Sequence, residues 1–153
     1  MVEGSHKESY SRLASYIQLI KDREKDAICD IKWKNKNTSE VANLVPKPLF
    51  IKLYISFEAM RYGFINGCRP FIGVDGIFLK GRYGGMFLVA CALDGNNGIF
   101  PIAFALVEKE NKDCWSFFFY HLKRLANEEQ RRNWVTMSDR QKVNLFFQFS
   151  NLD

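Results

Sequence analysis

The chain has 153 residues, 47% of them hydrophobic and 15% aromatic, with a formal net charge of +5. That length supports one domain with a sizeable core. No apolar run is long enough to span a bilayer, and the polar start Met1-Val-Glu-Gly-Ser-His lacks the apolar stretch of a secretory leader. A soluble intracellular protein is the default expectation. Cys29, Cys68, Cys91 and Cys114 are scattered singly, with no CxxC or Cys/His cluster, which argues against zinc and for four free thiols. The basic excess is uneven. Residues 1–70 hold 12 Lys and Arg against 8 Asp and Glu, and residues 71–153 hold 10 against 9. A moderately basic N-terminal half is compatible with nucleic acid and equally with a plain soluble surface.

In chain order, Tyr10, Leu13, Ala14, Ile17 and Ile20 recur at helical spacing, which predicts an amphipathic helix over 8–21 with Ser9 as its N-cap. Residues 27–34 alternate apolar and polar side chains and predict a strand. Lys34 to Ser39 reads as a polar loop, and Pro46 and Pro48 interrupt a weak apolar patch at 41–44. Residues 50–57 are β-branched and aromatic, but their continuation through Glu58-Ala-Met-Arg-Tyr62 favours a helix over 50–62 stopped by Gly63. Gly67-Cys-Arg-Pro70 is a turn.

The second half is patterned more sharply. A strand is predicted over 71–79, a reversal at Gly81, Gly84 and Gly85, a strand over 86–93, and a turn at Asp94-Gly-Asn-Asn-Gly98. A third strand covers 99–108. A helix capped by Asp113 then carries Trp115, Phe118, Phe119, Leu122, Leu125 and Ala126 on its core face. After a charged loop, residues 134–138 form a fourth strand with Asp139 at its end. Tight turns make the first three strands antiparallel, and a helical crossover lets the fourth run parallel to one of them.

Asp75 lies in the middle of the apolar run Phe71-Ile-Gly-Val-Asp-Gly-Ile-Phe. A carboxylate there needs compensation, by a divalent metal or by structural hydrogen bonds. If the fourth strand pairs beside the first, Asp139 approaches Asp75. Two adjacent carboxylates repel unless a cation sits between them. The plainer reading of Asp139 is a strand-end or helix-capping residue. Glu108 is a further acidic candidate, although a surface position suits it better. Asp94 reads as a turn residue. Lys80 and Arg82 follow the Asp75 strand, and Arg131, Arg132, Arg140 and Lys142 flank the fourth. Each is a candidate phosphate contact or simply solvated surface. His6 and His121 are isolated, and His121 falls off the most apolar line of its helix, so neither is assigned a role.

Several spaced blocks together carry a resemblance. Arg69-Pro-Phe-Ile-Gly-Val-Asp-Gly-Ile-Phe-Leu-Lys-Gly-Arg-Tyr-Gly-Gly85 resembles the first catalytic block of plant Mutator-like element (MULE, MuDR-type) transposases. Asp94 to Glu108, Asn111 to Phe118 and Met137-Ser-Asp-Arg-Gln-Lys142 resemble the blocks that follow, in order. Lys7-Glu-Ser-Tyr10 and Phe57 to Phe64 are similar to segments ahead of the domain. The resemblance implies an α/β (α+β) fold with an RNase H-like mixed sheet over 69–142, preceded by an extension over 1–68. It also implies DDE-type DNA transposition chemistry in the nucleus, with Mg²⁺ or Mn²⁺ held by Asp75, Asp139 and a later Glu. DNA, in the form of element ends, is the implied partner, with a full-length transposase as a second. Residues 143–153 depart from the pattern, and the Glu-bearing helix expected after Asp139 is replaced. The expectation is a truncated, inactive derivative. The alternative is a non-catalytic DNA- or protein-binding module.

Overall fold

The computed structural model describes residues 6–34, 49–80, 84–127 and 135–138. The elements run α1 (His6–Arg23), β1 (Ile28–Lys34), β2 (Leu49–Ser56), α2 (Glu58–Gly67), β3 (Phe71–Phe78), β4 (Met86–Leu93), β5 (Ile99–Val107), α3 (Lys112–Asn127) and β6 (Val135–Met137). The fold is mixed α+β, with three helices on a six-stranded sheet of order β1-β2-β5-β4-β3-β6. Four pairings are antiparallel, and β3 with β6 is parallel. The fourth strand predicted from sequence is β6, and it pairs beside the strand that carries Asp75. The predicted loop beyond Lys34, the patch at 41–44 and residues 128–134 lie outside the described residues.

The helix expected over 50–62 is two elements. Residues 49–56 extend as β2 because both flanks are occupied: Cys29 opposes Ile55 on one side and Phe104 opposes it on the other. Pairing on two edges, together with a β-branched and aromatic composition, overrides the helical continuation. The helix begins only at Glu58, whose N–H is accepted by Glu24 Oε2 at 3.0 Å. Gly63 does not end it. A Cβ there would lie 2.5 Å from Phe100 Cζ, so glycine allows α2 to close on β5.

Two predicted caps also differ. Ser9 lies inside α1, which already runs from His6. The cap of α3 is Asn111, whose Oδ1 accepts the Cys114 N–H at 2.8 Å, and Asp113 sits within the first turn. Asn serves the N-cap as well as Asp, and its position one residue before the helix is what counts.

The register sorts the two faces of the sheet. Asp30, Tyr54, Ala105, Leu88 and Gly76 form one row across five strands. Side chains alternate, so the neighbouring row of Cys29, Ile55, Phe104, Val89 and Asp75 faces the opposite way. The first face is covered by α2 and α3. Tyr54, Leu88, Ala105, Ile102, Phe118, Phe119, Leu122 and Leu125 are all fully buried there. The aromatic stripe of α3 is core, as the sequence suggested. The second face is covered on β1, β2 and β5 by α1, through Ile17 and Ile20 on Leu53 and Ile55. Toward β3 and β6, Ile77, Val135 and Met137 of the second face are exposed.

The β4–β5 hairpin behaves as its turn signals predict. Asp94 Oδ1 accepts the N–H groups of Asn96 at 2.8 Å and Gly98 at 2.7 Å, and Asn97 takes a left-handed φ of 65°. The β3–β4 reversal closes with Leu79 N–H donating to Gly85 O at 3.0 Å. Gly85 has φ 101°, and a Cβ on it would lie 2.8 Å from the Val107 carbonyl oxygen. Among the described residues all four cysteines are free. No described helix is long and apolar enough to cross a membrane.

Candidate functional site

Asp75 stands at the middle of β3, opposite Val89 of β4, on the face that α1 leaves open. Its neighbours on the strand alternate: Val74 and Ile72 point into the core, while Asp75 is exposed. This outward register explains how an apolar run can carry a carboxylate without the burial cost that the sequence suggested. Its Oδ1 accepts the N–H of the next residue, Gly76, at 2.7 Å, which fixes the carboxylate against the strand. Carboxylate oxygens are hard donors of the type that magnesium and manganese take.

On the other side of β3 lies β6, paired in parallel with Phe71 opposite Val135, Ile72 opposite Thr136 and Gly73 opposite Met137. The helical crossover through α3 permits this parallel return. Asp139, Arg140, Lys142, Arg82, Arg131 and Arg132 lie outside the described residues. Lys80 is exposed just beyond the end of β3, and Glu108 is exposed after β5. Among the described residues no three His, Cys, Asp or Glu side chains gather into a metal-holding group.

Residues 71–145 match the family model of the MULE transposase domain. That stretch is similar to the MULE transposase domain and contains β3, β4, β5, α3 and β6. A transposase domain implies dealings with DNA in general. The search of curated proteins and the search of solved structures each returned no match. Within the MULE stretch, β3, β4 and β5 form an antiparallel meander, α3 crosses over, and β6 returns parallel beside β3.

The structure also assembles a polar site that sequence patterns alone do not reveal. His121 is 3% exposed and part of the core side of α3, contrary to its expected place off the apolar line. Its Nε2 lies 3.2 Å from Asp30 Oδ2 on β1, and its ring stacks on Tyr54 with centroids 4.8 Å apart. Desolvation pushes its pKa below the usual histidine value, against the opposing pull of Asp30. The neutral ring therefore donates one N–H to the carboxylate, and Nδ1 has no partner among the described residues. Asp30 also takes Lys32 Nζ at 3.1 Å. Two sequence signals point here. Asp30 shares an inward face with Ile28 in an alternating strand, and His121 follows Phe117 and Phe118 by one helical turn. Tyr54 is more deeply buried still, and burial holds its hydroxyl firmly protonated.

Proposed function

We propose that this chain carries part of a metal-dependent phosphodiester site of the DDE type on an RNase H-like sheet, with Asp75 and Asp139 as its first two carboxylates. The observation that supports this most is the parallel pairing of β3 and β6. Gly73 opposes Met137, and Asp75 and Asp139 each lie two residues further along their own segments. The MULE match over the same stretch agrees with that role. The exposed, oxygen-only character of Asp75 fits Mg²⁺ or Mn²⁺, which bind through one or two carboxylates and complete their shells with water and phosphate. A bound ion would supply Lewis acidity toward a phosphodiester and an activated hydroxyl. Asp75 would hold the ion at the sheet surface, and the Gly76 N–H would keep the carboxylate oriented. Lys80, Arg82, Arg140 and Lys142 would contact the DNA backbone.

Two carboxylates alone support a single ion loosely, and loss of a ligand set costs orders of magnitude in rate. We therefore expect the 153-residue chain by itself to bind metal but to transfer strands poorly, in keeping with a transposase-derived role in the nucleus that uses DNA or a full-length relative as partner. The net charge of +5 favours, as a second reading, a DNA-binding module that retains DNA without cleaving it. The test is thermal unfolding of the full chain with and without Mn²⁺, together with a plasmid-nicking assay. A Mn²⁺-dependent rise in Tm that disappears in both Asp75→Asn and Asp139→Asn is the expected result. A rise that survives either substitution overturns the site. Strong nicking overturns the expectation of a weak catalyst, and DNA retention unchanged by both substitutions favours the module.

A further inference from the structure

A groove of about 570 Å³ runs between α3 and the β1–β2 edge. It lies on the face opposite Asp75 and four strands away, roughly 19 Å across the sheet at ordinary strand spacing. Its walls carry Lys32 and Lys52, directly opposed across β1 and β2, with Tyr120 of α3 at the rim. Like charges opposed on neighbouring strands are unfavourable unless something of opposite sign sits by them. For Lys32 that is Asp30, whose carboxylate is shared with His121 Nε2. Lys52 has no carboxylate partner among the described residues. Its ammonium lies 4.8 Å over the Phe117 ring and 3.5 Å from the Asp113 carbonyl oxygen. Arg124, one turn beyond Tyr120, is exposed and close enough to act on the charge of His121. Tyr120 is 61% exposed at the rim of the groove, with its ring edge-on to that of His121 at a centroid distance of 5.1 Å.

The geometry points to a nucleic-acid contact in this groove: a single strand lies along α3, its phosphates at Lys52 and Arg124 and one base stacked on Tyr120. Cations flanking an exposed aromatic ring are the recurring platform for single strands, because every base offers a π face and every nucleotide a charge. Asp30 does not oppose the strand, since its charge is taken up by Lys32 and by the His121 N–H. Asp113 does oppose it, and that sets the sign of one test. The contact goes beyond the Asp75 reading and needs no metal.

The probe is a fluorescein-labelled oligothymidine of about ten nucleotides, with the anisotropy of the full chain followed across a salt series without divalent ions. Lys52→Gln combined with Arg124→Gln is expected to weaken binding and to reduce the slope of log K against log salt by about 1.4, or about 0.7 for each phosphate that is no longer neutralised. Tyr120→Ala is expected to weaken binding at least about fivefold with the slope unchanged. Asp113→Asn is expected to tighten it. No divalent ion is present in this titration, so its outcome stands or falls apart from the Mn²⁺-dependent rise in Tm that tests the metal site. All these side chains except that of Lys52, which is half-buried, are exposed, and matched melting curves confirm folding. Absence of binding by the parent chain, an unchanged salt slope in the double variant, full affinity in Tyr120→Ala, or weaker binding in Asp113→Asn each overturns the proposal.

Discussion

The His121–Asp30 contact ties the long helix of the core to an edge strand, and removing it should be measurable in one step. Asp30→Asn keeps the side chain's shape and removes its charge. A hydrogen bond to a charged partner is worth about 1.5–3 kcal/mol when buried. The Asp30 side chain is 27% exposed and shared with Lys32, so the low end applies, and a double-mutant cycle with His121→Gln should give a coupling of about 1.5 kcal/mol. The pH dependence follows from the direction of the His121 shift. A folded-state pKa below the unfolded one means that the unfolded chain binds more protons in the interval between them. Stability is then full above the unfolded value and falls as pH drops through the folded one. Urea unfolding between pH 7.5 and 5 should show this loss in the parent chain and a flatter profile in His121→Gln. Equal pH profiles for the two, or a coupling indistinguishable from zero, would refute the assignment of a neutral, hydrogen-bonded His121.

Three further outcomes can be checked in the same way. Gly85→Ala forces a side chain into a left-handed conformation with its Cβ against the Val107 carbonyl. Urea unfolding should show a loss of about 2 kcal/mol or more. Phe118→Ala removes a fully buried ring that packs on Tyr54, Trp115 and Phe119. A loss of about 3–5 kcal/mol is expected by denaturant titration. Asn111→Ala deletes the cap of α3 and should cost about 1 kcal/mol, while Asp113→Ala should cost less.

The parts of the fold legible in the sequence are those where local pattern and tertiary demand agree. The β3–β4–β5 meander is bounded by Gly85 and by the Asp94 turn, both of which encode their own backbone conformation. The core face of α3 is spelled out by large aromatics at helical spacing. Residues 50–62 mislead because two competing signals overlap there. What decides between them is the pairing of β2 with both β1 and β5, which joins positions 15 to 55 residues apart. Gly63 looks like a stop because its cause, the Phe100 ring, comes from β5. His121 is hidden for a similar reason: its partner Asp30 lies 91 residues away. Asp75 stands out as unusual on sequence alone, yet its exposure depends on which face α1 leaves uncovered, and that is a property of helix placement. The proposed approach of Asp139 to it is argued from the parallel β3–β6 register, in which Gly73 opposes Met137.

The seam between β2 and β5 has a practical consequence for anyone excising the transposase-like stretch. A recombinant fragment begun at Phe71 would lose α1, β1, β2 and α2 together. It would bare the ladder groups of β5 from Phe104 to Val107, along with the greasy flank formed by Phe104 and Leu106. A naked, apolar strand border of that kind recruits whatever polypeptide lies nearby. Such a fragment should come out of purification as soluble aggregates or inclusion bodies, and the hairpin ahead of it acts as a built-in selvedge that keeps the cloth from fraying.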